Sequence, residues 1–179
     1  MSFHLKNREP FANKLTKGFS LLEMIIYIAI LVFMLIIIMN ITVSMIYSHR
    51  KIKSSRNIES SANVSLERIS RETRQADSID DNLSIFNYSP GKLVLVGTDA
   101  VGNIKTVEFY LSSSTIFMKE NGVDQGPISQ SEARVTSLVF RSFSDPTFSA
   151  RGVKVEINIE SGTSTYYRSD SFYSSATLR

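Results

Sequence analysis

The side chains that most often perform catalysis are scarce in this sequence. Its 179 residues include no cysteine and only two histidines, His4 and His49, both in the first third of the chain. A thiol nucleophile, a disulfide and a cysteine-bound metal are therefore excluded, and a histidine-based triad or zinc site in a globular domain is not expected. Serines are numerous but lack a base partner, and no glycine-rich phosphate loop occurs. We therefore expect no enzyme activity and no cofactor.

Three acids, Asp77, Asp80 and Asp81, come closest to a metal-binding cluster. Calcium loops place oxygen ligands at regular intervals around a glycine, and this segment has neither the spacing nor the glycine. We interpret the three side chains as solvated acids at the end of a helix, and we expect no metal site there.

Glu23 is a carboxylate at the start of a long apolar segment. Every residue from Met24 to Met39 is apolar, counting Tyr27, and no charged residue occurs in the 25 residues from Met24 to Ser48. As a helix they would extend about 38 Å, which exceeds the roughly 30 Å core of a bilayer. A secretory signal is not favoured, because its apolar core has only about 7–15 residues. The segment predicts a transmembrane helix, in which Glu23 either lies among the headgroups or needs a cationic partner.

The residues around Glu23 resemble a known processing signal. The sequence Lys17-Gly18-Phe19-Ser20-Leu21-Leu22-Glu23 lies between a basic leader and an uncharged helix, and it is similar to the class III signal of type IV prepilins. The resemblance implies that a prepilin peptidase cleaves between Gly18 and Phe19 and methylates the new amino terminus at Phe19. It also implies that Glu23 is the acid of the family motif.

Such a cleavage would leave the apolar segment attached and create a cationic amine at Phe19, one helical turn from Glu23. In a stack of parallel helices, Glu23 of one copy could neutralise the amine of a neighbour. Because an unpaired buried charge costs several kcal/mol, we expect this pairing to favour one axial register between subunits.

The helical pattern continues beyond the apolar segment. No proline or glycine occurs from Phe19 to Ser89, so we predict one helix from about Phe19 to about Ser78. Its first half is apolar all round, and its second half is amphipathic. The residues expected on the buried face of the second half are Ile52, Ile58, Ala62, Leu66, Ile69, Ala76 and Ile79.

The rest of the sequence is typical of short strands separated by turns. The clearest strand covers 153–160, where Val153, Val155, Ile157 and Ile159 alternate with polar residues. The other predicted strands are 92–98, 104–111, 115–119, 134–143 and 164–173. We predict an α+β fold, in which a long N-terminal helix supports a C-terminal antiparallel β-rich head. The predicted layout is a cleaved basic leader at 1–18, a transmembrane half of the helix at 19–48, an amphipathic stalk at 49–79 and an extracytoplasmic head at 80–179.

This layout resembles type IV pilins and pseudopilins. Within that family, residues 65–76 are similar to the stalk end of J-type pseudopilins and W-type minor pilins, and residues 172–179 are similar to their last strand. The J-type proteins belong to the tip complex of type II secretion. The resemblance therefore implies a minor pilin or pseudopilin. Type II secretion, a surface pilus and a competence pilus stay open as the system it serves.

The resemblance also implies partners and a location. The partners would be a prepilin peptidase, other pilin or pseudopilin subunits and an inner-membrane assembly platform. The chain would cross the cytoplasmic (inner) membrane once, with its head extracytoplasmic, and would later join a filament or its tip. Charge does not set this orientation, because the leader and the segment 50–56 each carry four basic residues.

The basic stretch on the second half of the predicted helix could contact DNA, anionic headgroups or acidic faces of neighbouring subunits. It comprises Arg50, Lys51, Lys53, Arg56, Arg68, Arg71 and Arg74. The chain's net charge of +3 resides in the leader, and the residues after Gly18 contain 16 basic and 16 acidic side chains. We therefore do not expect nucleic-acid binding. The alternative function is a permanently membrane-anchored binding domain, for DNA or a secreted substrate, that never polymerises.

Overall fold

One long helix precedes eight strands in the part of the chain that the structure, a computed structural model, describes: residues 18–145, 150–162 and 166–179. The predicted α+β order, with a long apolar N-terminal helix followed by antiparallel sheets, is confirmed. The chain divides into two compact units between Met45 and Ile46. The elements are α1 Leu21–Gln75, β1 Ser78–Ile79, β2 Lys92–Thr98, β3 Ile104–Ser112, β4 Thr115–Glu120, β5 Val123–Pro127, β6 Arg134–Asp145, β7 Ala150–Ser161 and β8 Arg168–Thr177.

Helix α1 begins and ends slightly inside its predicted bounds. The amide of Met24 donates to the carbonyl of Ser20 (3.1 Å), so Ser20, a residue type common at N-caps, immediately precedes the helix. The helix ends at Gln75 rather than Ser78, because the amide of Asp77 donates to Val96 in β2 (2.9 Å). The predicted stalk 49–79 therefore contains the end of α1 and all of β1.

The N-terminal part of α1 exposes apolar side chains on every side. Its exposed fractions range from 39% at Ile37 to 80% at Leu21, and none of its most apolar stretch is buried. In the described part of the chain, α1 is the one helix long and apolar enough to cross a membrane. Such a surface requires lipid or other protein surfaces to cover it, because soluble monomers rarely expose so large an apolar area.

The strands of the second unit form two antiparallel sheets. The first has the order β1-β2-β3-β4-β5, and the second has the order β6-β7-β8. Strand β6 of the second sheet contacts β2, β3 and β4 of the first. The predicted strands from 92 to 160 are present, several of them a few residues longer than predicted.

Two parts of the head differ from the prediction. Strand β5 was not expected, because Asp124, Gly126 and Pro127 are unfavourable in strands. It forms because Asn121 and Gly122 both have positive φ (51° and 80°) and make the tight turn that returns the chain beside β4. The last strand was predicted at 164–173 but lies at 168–177, where Ser161 pairs with Arg168 and Gly152 with Thr177.

The core lies between the second half of α1 and the two sheets. Ile58, Ala62 and Ile69 of α1 are fully buried, together with Phe109 and Phe140 of the sheets. Ile52, predicted on the same face, is 53% exposed, so this part of the prediction was wrong. Burial on α1 starts two residues later, at Ser54.

Hydroxyl side chains occupy part of the buried face of α1, which the apolar pattern did not predict. Ser54 donates to the carbonyl of Ser161 (2.8 Å), and Ser61 accepts from the amide of Gln130 (3.1 Å). The hydroxyls of Ser70 on α1 and Ser174 on β8 are 3.0 Å apart. These contacts satisfy polar groups that would otherwise be costly to bury.

Tyr110 on β3 gives the head a predictable response to high pH. Its hydroxyl donates to Asp124 (3.2 Å). Desolvation, that hydrogen bond and the charges of Asp124 and Glu108 raise the pKa of Tyr110 above its usual value. A raised pKa in the folded state adds stability that is complete below the unfolded value, about 10, and is lost as pH rises through the folded value.

We therefore expect Tyr110→Phe to flatten the loss of stability above pH about 10. The measurement is the urea midpoint of the full chain in mild detergent, at neutral and at high pH. Tyr88→Phe removes a hydroxyl from a tyrosine that is 73% exposed, and it serves as the matched control. Equal flattening in both variants would contradict the assignment.

Candidate functional site: the start of helix α1

Phe19, which lies just before α1, is close to Glu23 and Tyr27 in the first two turns of the helix. Glu23 lies in the first turn, and the hydroxyl of Tyr27 donates to its Oε1 atom at 2.7 Å. The rings of Phe19 and Tyr27 meet edge to face, with their centroids 6.4 Å apart. The four-residue spacing of positions 19, 23 and 27 brings them together, as expected on a helix.

Glu23 is the chemically distinctive group of this cluster. It is half-buried, whereas its helical neighbours Leu22 and Met24 are exposed. One carboxylate oxygen is occupied by Tyr27, and Oε2 has no hydrogen-bond partner among the described residues. The helix N-terminus favours a negative charge here. The arrangement can therefore accept one further donor, and a cationic donor would form the strongest bond.

Gly18 and Phe19 precede the helix and are open to the surroundings. An added Cβ atom at Gly18 would meet no other described atom within 4 Å, so the described fold places no steric demand for glycine there. Phe19 is 71% exposed. The bond between these two residues is accessible. The described fold does not explain why position 18 is a glycine.

The structure therefore places all three residues of the sequence-predicted site in one short segment. It brings Phe19 and Glu23 together through Tyr27, which the sequence interpretation did not single out. The signal for Tyr27 was its position four residues after Glu23. Cleavage after Gly18 and methylation of Phe19 stay predictions.

The three acids near the end of α1 do not form one site. Asp77 accepts a hydrogen bond from Thr98 (2.8 Å), and Asp80 accepts from the amides of Asn82 and Leu83. Both carboxylate oxygens of Asp81 accept from Nη2 of Arg151, at 2.7 and 2.8 Å. The interpretation of all three as solvated helix-terminal acids was incomplete, since each has its own partner in the head. In the described ranges, no group of three His, Cys, Asp or Glu residues could hold a metal ion.

A second polar cluster surrounds Glu72 on α1. Glu72 is buried and lies 3.1 Å from Arg68 and 3.5 Å from Lys105, which also pairs with Glu120 at 3.3 Å. Glu72, Lys105 and Glu120 border a cavity of about 270 Å³. Arg68 and Lys105 lie on either side of the carboxylate. Lys105 therefore links α1 to β3 and, through Glu120, to β4.

No family model, curated protein or solved structure matches this chain. The likeness to type IV prepilins therefore rests on the residues quoted above. The geometry at the start of α1 adds two physical facts to it. Among the described residues, one carboxylate oxygen of Glu23 has no hydrogen-bond partner, and the Gly18–Phe19 bond is accessible.

Proposed function

We propose that this chain is a minor pilin or pseudopilin, a structural subunit of a type IV filament or a type II secretion pseudopilus. The observation that carries the proposal is the surface of α1. Over residues 21–48 its apolar side chains face outward on all sides, and the single acid of that part, Glu23, lies in the first turn. A helix that only had to anchor a domain in lipid would not need an acid at that position.

In this proposal a prepilin peptidase cuts the accessible bond after Gly18, and Phe19 becomes the methylated amino terminus. The new amine lies one helical turn from Glu23, whose Oε1 already accepts a hydrogen bond from the hydroxyl of Tyr27. The free Oε2 accepts the amine of a neighbouring subunit, and the pair sets the axial register of packed helices. Lipid covers the apolar surface before assembly, and neighbouring helices cover it in the filament.

The second unit supplies the head, which the proposal places outside the cytoplasmic membrane. The partners are the peptidase, other pilin or pseudopilin subunits and an inner-membrane assembly platform. The work of the protein is assembly, and the proposal assigns it no reaction of its own and no cofactor.

Intact-mass analysis of the protein from its native host tests the proposal. We expect loss of residues 1–18 and one added methyl group on Phe19. The matched control is the same host without its prepilin peptidase, where the uncut chain should accumulate. A chain from the normal host that still begins at Met1 would overturn the proposal.

The alternative is a membrane-anchored binding domain that does not polymerise. It is favoured by an open groove of about 760 Å³ between α1 and β8, bordered by Arg71, Arg74 and Tyr173. Such a groove is large enough for a small ligand or a peptide segment. Crosslinking between the Phe19 and Glu23 regions of neighbouring copies would argue against this alternative.

A further inference from the structure

A cluster of basic and aromatic side chains lies at the beginning of the second unit. The ring of Tyr47 on α1 stacks on Tyr166, which precedes β8, with centroids 5.8 Å apart. The guanidinium of Arg50 lies 5.7 Å from the centre of the same Tyr166 ring. We name as the basic foot the four cations Arg50, Lys51, Lys53 and Arg56, together with Tyr47 and Tyr166.

The cations of the basic foot differ from most cations of the sheets, which have acidic partners. The strand residues Lys119 and Lys154 lie over tyrosine rings instead. On the strands, Lys92, Lys105, Arg134, Arg141, Arg151 and Arg168 all form ion pairs. Among the described residues, the four cations of the basic foot form none. Glu59, the nearest acid along α1, accepts a hydrogen bond from Ser55 instead. The foot therefore carries four positive charges available to an external anion.

A cleft within the basic foot is shaped by the backbone. It has a volume of about 220 Å³ and is bordered by Arg50, Lys53, Ser54, Asn57, Ser161, Gly162 and Tyr166. Gly162 has a φ of 90°, and an added Cβ atom there would contact the carbonyl of Tyr166 and lie 3.0 Å from the Ser54 hydroxyl. Glycine thus keeps the cleft open while the chain approaches α1 closely.

The position of the basic foot along the chain indicates its partner. The charge-free segment ends at Ser48, and the first cation, Arg50, follows two residues later. Two residues reach at most about 7 Å, which keeps Arg50 within the headgroup layer if the segment spans the bilayer. Tyrosines such as Tyr47 are typical of that layer, and basic residues there attract anionic lipids.

We propose that the basic foot binds the anionic headgroups of phospholipids in the leaflet that faces the second unit. The phosphate enters the cleft beside Arg50 and Lys53, while Lys51 and Arg56, neighbours of these residues in sequence on α1, attract further headgroups. This inference goes beyond the proposed function. It requires that α1 spans the membrane, and it holds whether or not the chain polymerises. A subunit that leaves the bilayer would have to release these lipids.

The test uses the full chain reconstituted in bilayers that contain spin-labelled phosphatidylglycerol or phosphatidylcholine. Electron spin resonance measures the relative association of each lipid with the protein. We expect a preference for phosphatidylglycerol that is lost at high salt. In the double variant Lys51→Gln/Lys53→Gln the preference should be at least fivefold weaker, since each cation near the surface strengthens the binding of an anionic lipid about fivefold.

The matched control is Arg71→Gln/Arg74→Gln, which removes two exposed charges farther along α1. It should keep the preference. Equal association of the two lipids with the unmodified chain would overturn the proposal, as would an equal loss in the control variant. If added duplex DNA displaced the labelled lipid at low DNA-to-protein ratios, we would conclude that the basic foot binds nucleic acid and not lipid. Extraction of the chain by alkaline carbonate would overturn membrane anchoring itself, whereas a failed intact-mass test would overturn only the filament proposal.

Discussion

Replacing Phe140 by alanine is expected to lower the free energy of unfolding of the second unit by about 3–5 kcal/mol. Phe140 is fully buried on β6, a strand of the second sheet that contacts three strands of the first. Its ring also lies 3.1 Å from where a Cβ atom of Gly91 would be, and its carbonyl accepts the amide of Asn87 at 2.8 Å. A truncated side chain here leaves a cavity that two sheets and a loop would have to fill.

The measurement is chemical denaturation of the full chain in mild detergent, followed by near-ultraviolet circular dichroism. Phe143, also on β6 but 41% exposed, supplies the matched control. Phe143→Ala removes the same atoms from a position that water already reaches. It should therefore lower the free energy of unfolding by less than half as much as Phe140→Ala does. Equal losses would show that Phe140 does not hold the two sheets together.

Changing Glu23 to valine is expected to reduce incorporation into filaments at least tenfold while leaving leader removal intact. Without the carboxylate, the Phe19 amine of a neighbouring subunit would be buried unpaired, at a cost of several kcal/mol. A cost of about 1.4 kcal/mol already corresponds to a tenfold change in an equilibrium constant. The measurement is the fraction of the processed protein recovered with sheared filaments.

Two variants sharpen this test. Glu59→Val removes an exposed acid from the same helix and should leave incorporation unchanged. Glu23→Gln keeps the shape and one acceptor oxygen, so its effect should be intermediate. Normal incorporation of Glu23→Val would eliminate the pairing hypothesis without affecting the proposed cleavage after Gly18.

Local patterns predicted most of the elements. The helix follows from an unbroken sequence without glycine or proline, and β7 follows from the alternation of Val153, Val155, Ile157 and Ile159. Strand β5 was missed because its residues are mostly exposed and include Gly126 and Pro127, although the Asn121-Gly122 pair before it is a sequence signal for a hairpin turn. The exposure of Ile52 could not be predicted either, since it depends on where the sheets begin to cover α1.

The candidate site was predictable because its residues lie close together in sequence. Positions 18, 19 and 23 belong to one short motif, and Tyr27 lies one helical turn after Glu23. The ion pair of Glu72 with Lys105 and the stacking of Tyr47 on Tyr166 were not predictable, because each joins residues far apart in the chain. Only the folded backbone brings such residues together.

The hydroxyl contacts on the buried face of α1 have a mechanical consequence. Ser54, Ser61 and Ser70 each contact a different part of the head. A one-residue slip would rotate α1 by about 100° and break all three contacts at once. A purely apolar face would let α1 slide along the head under tension, whereas these directional hydrogen bonds oppose such sliding. Force applied along α1 would therefore move the head as one piece with the helix.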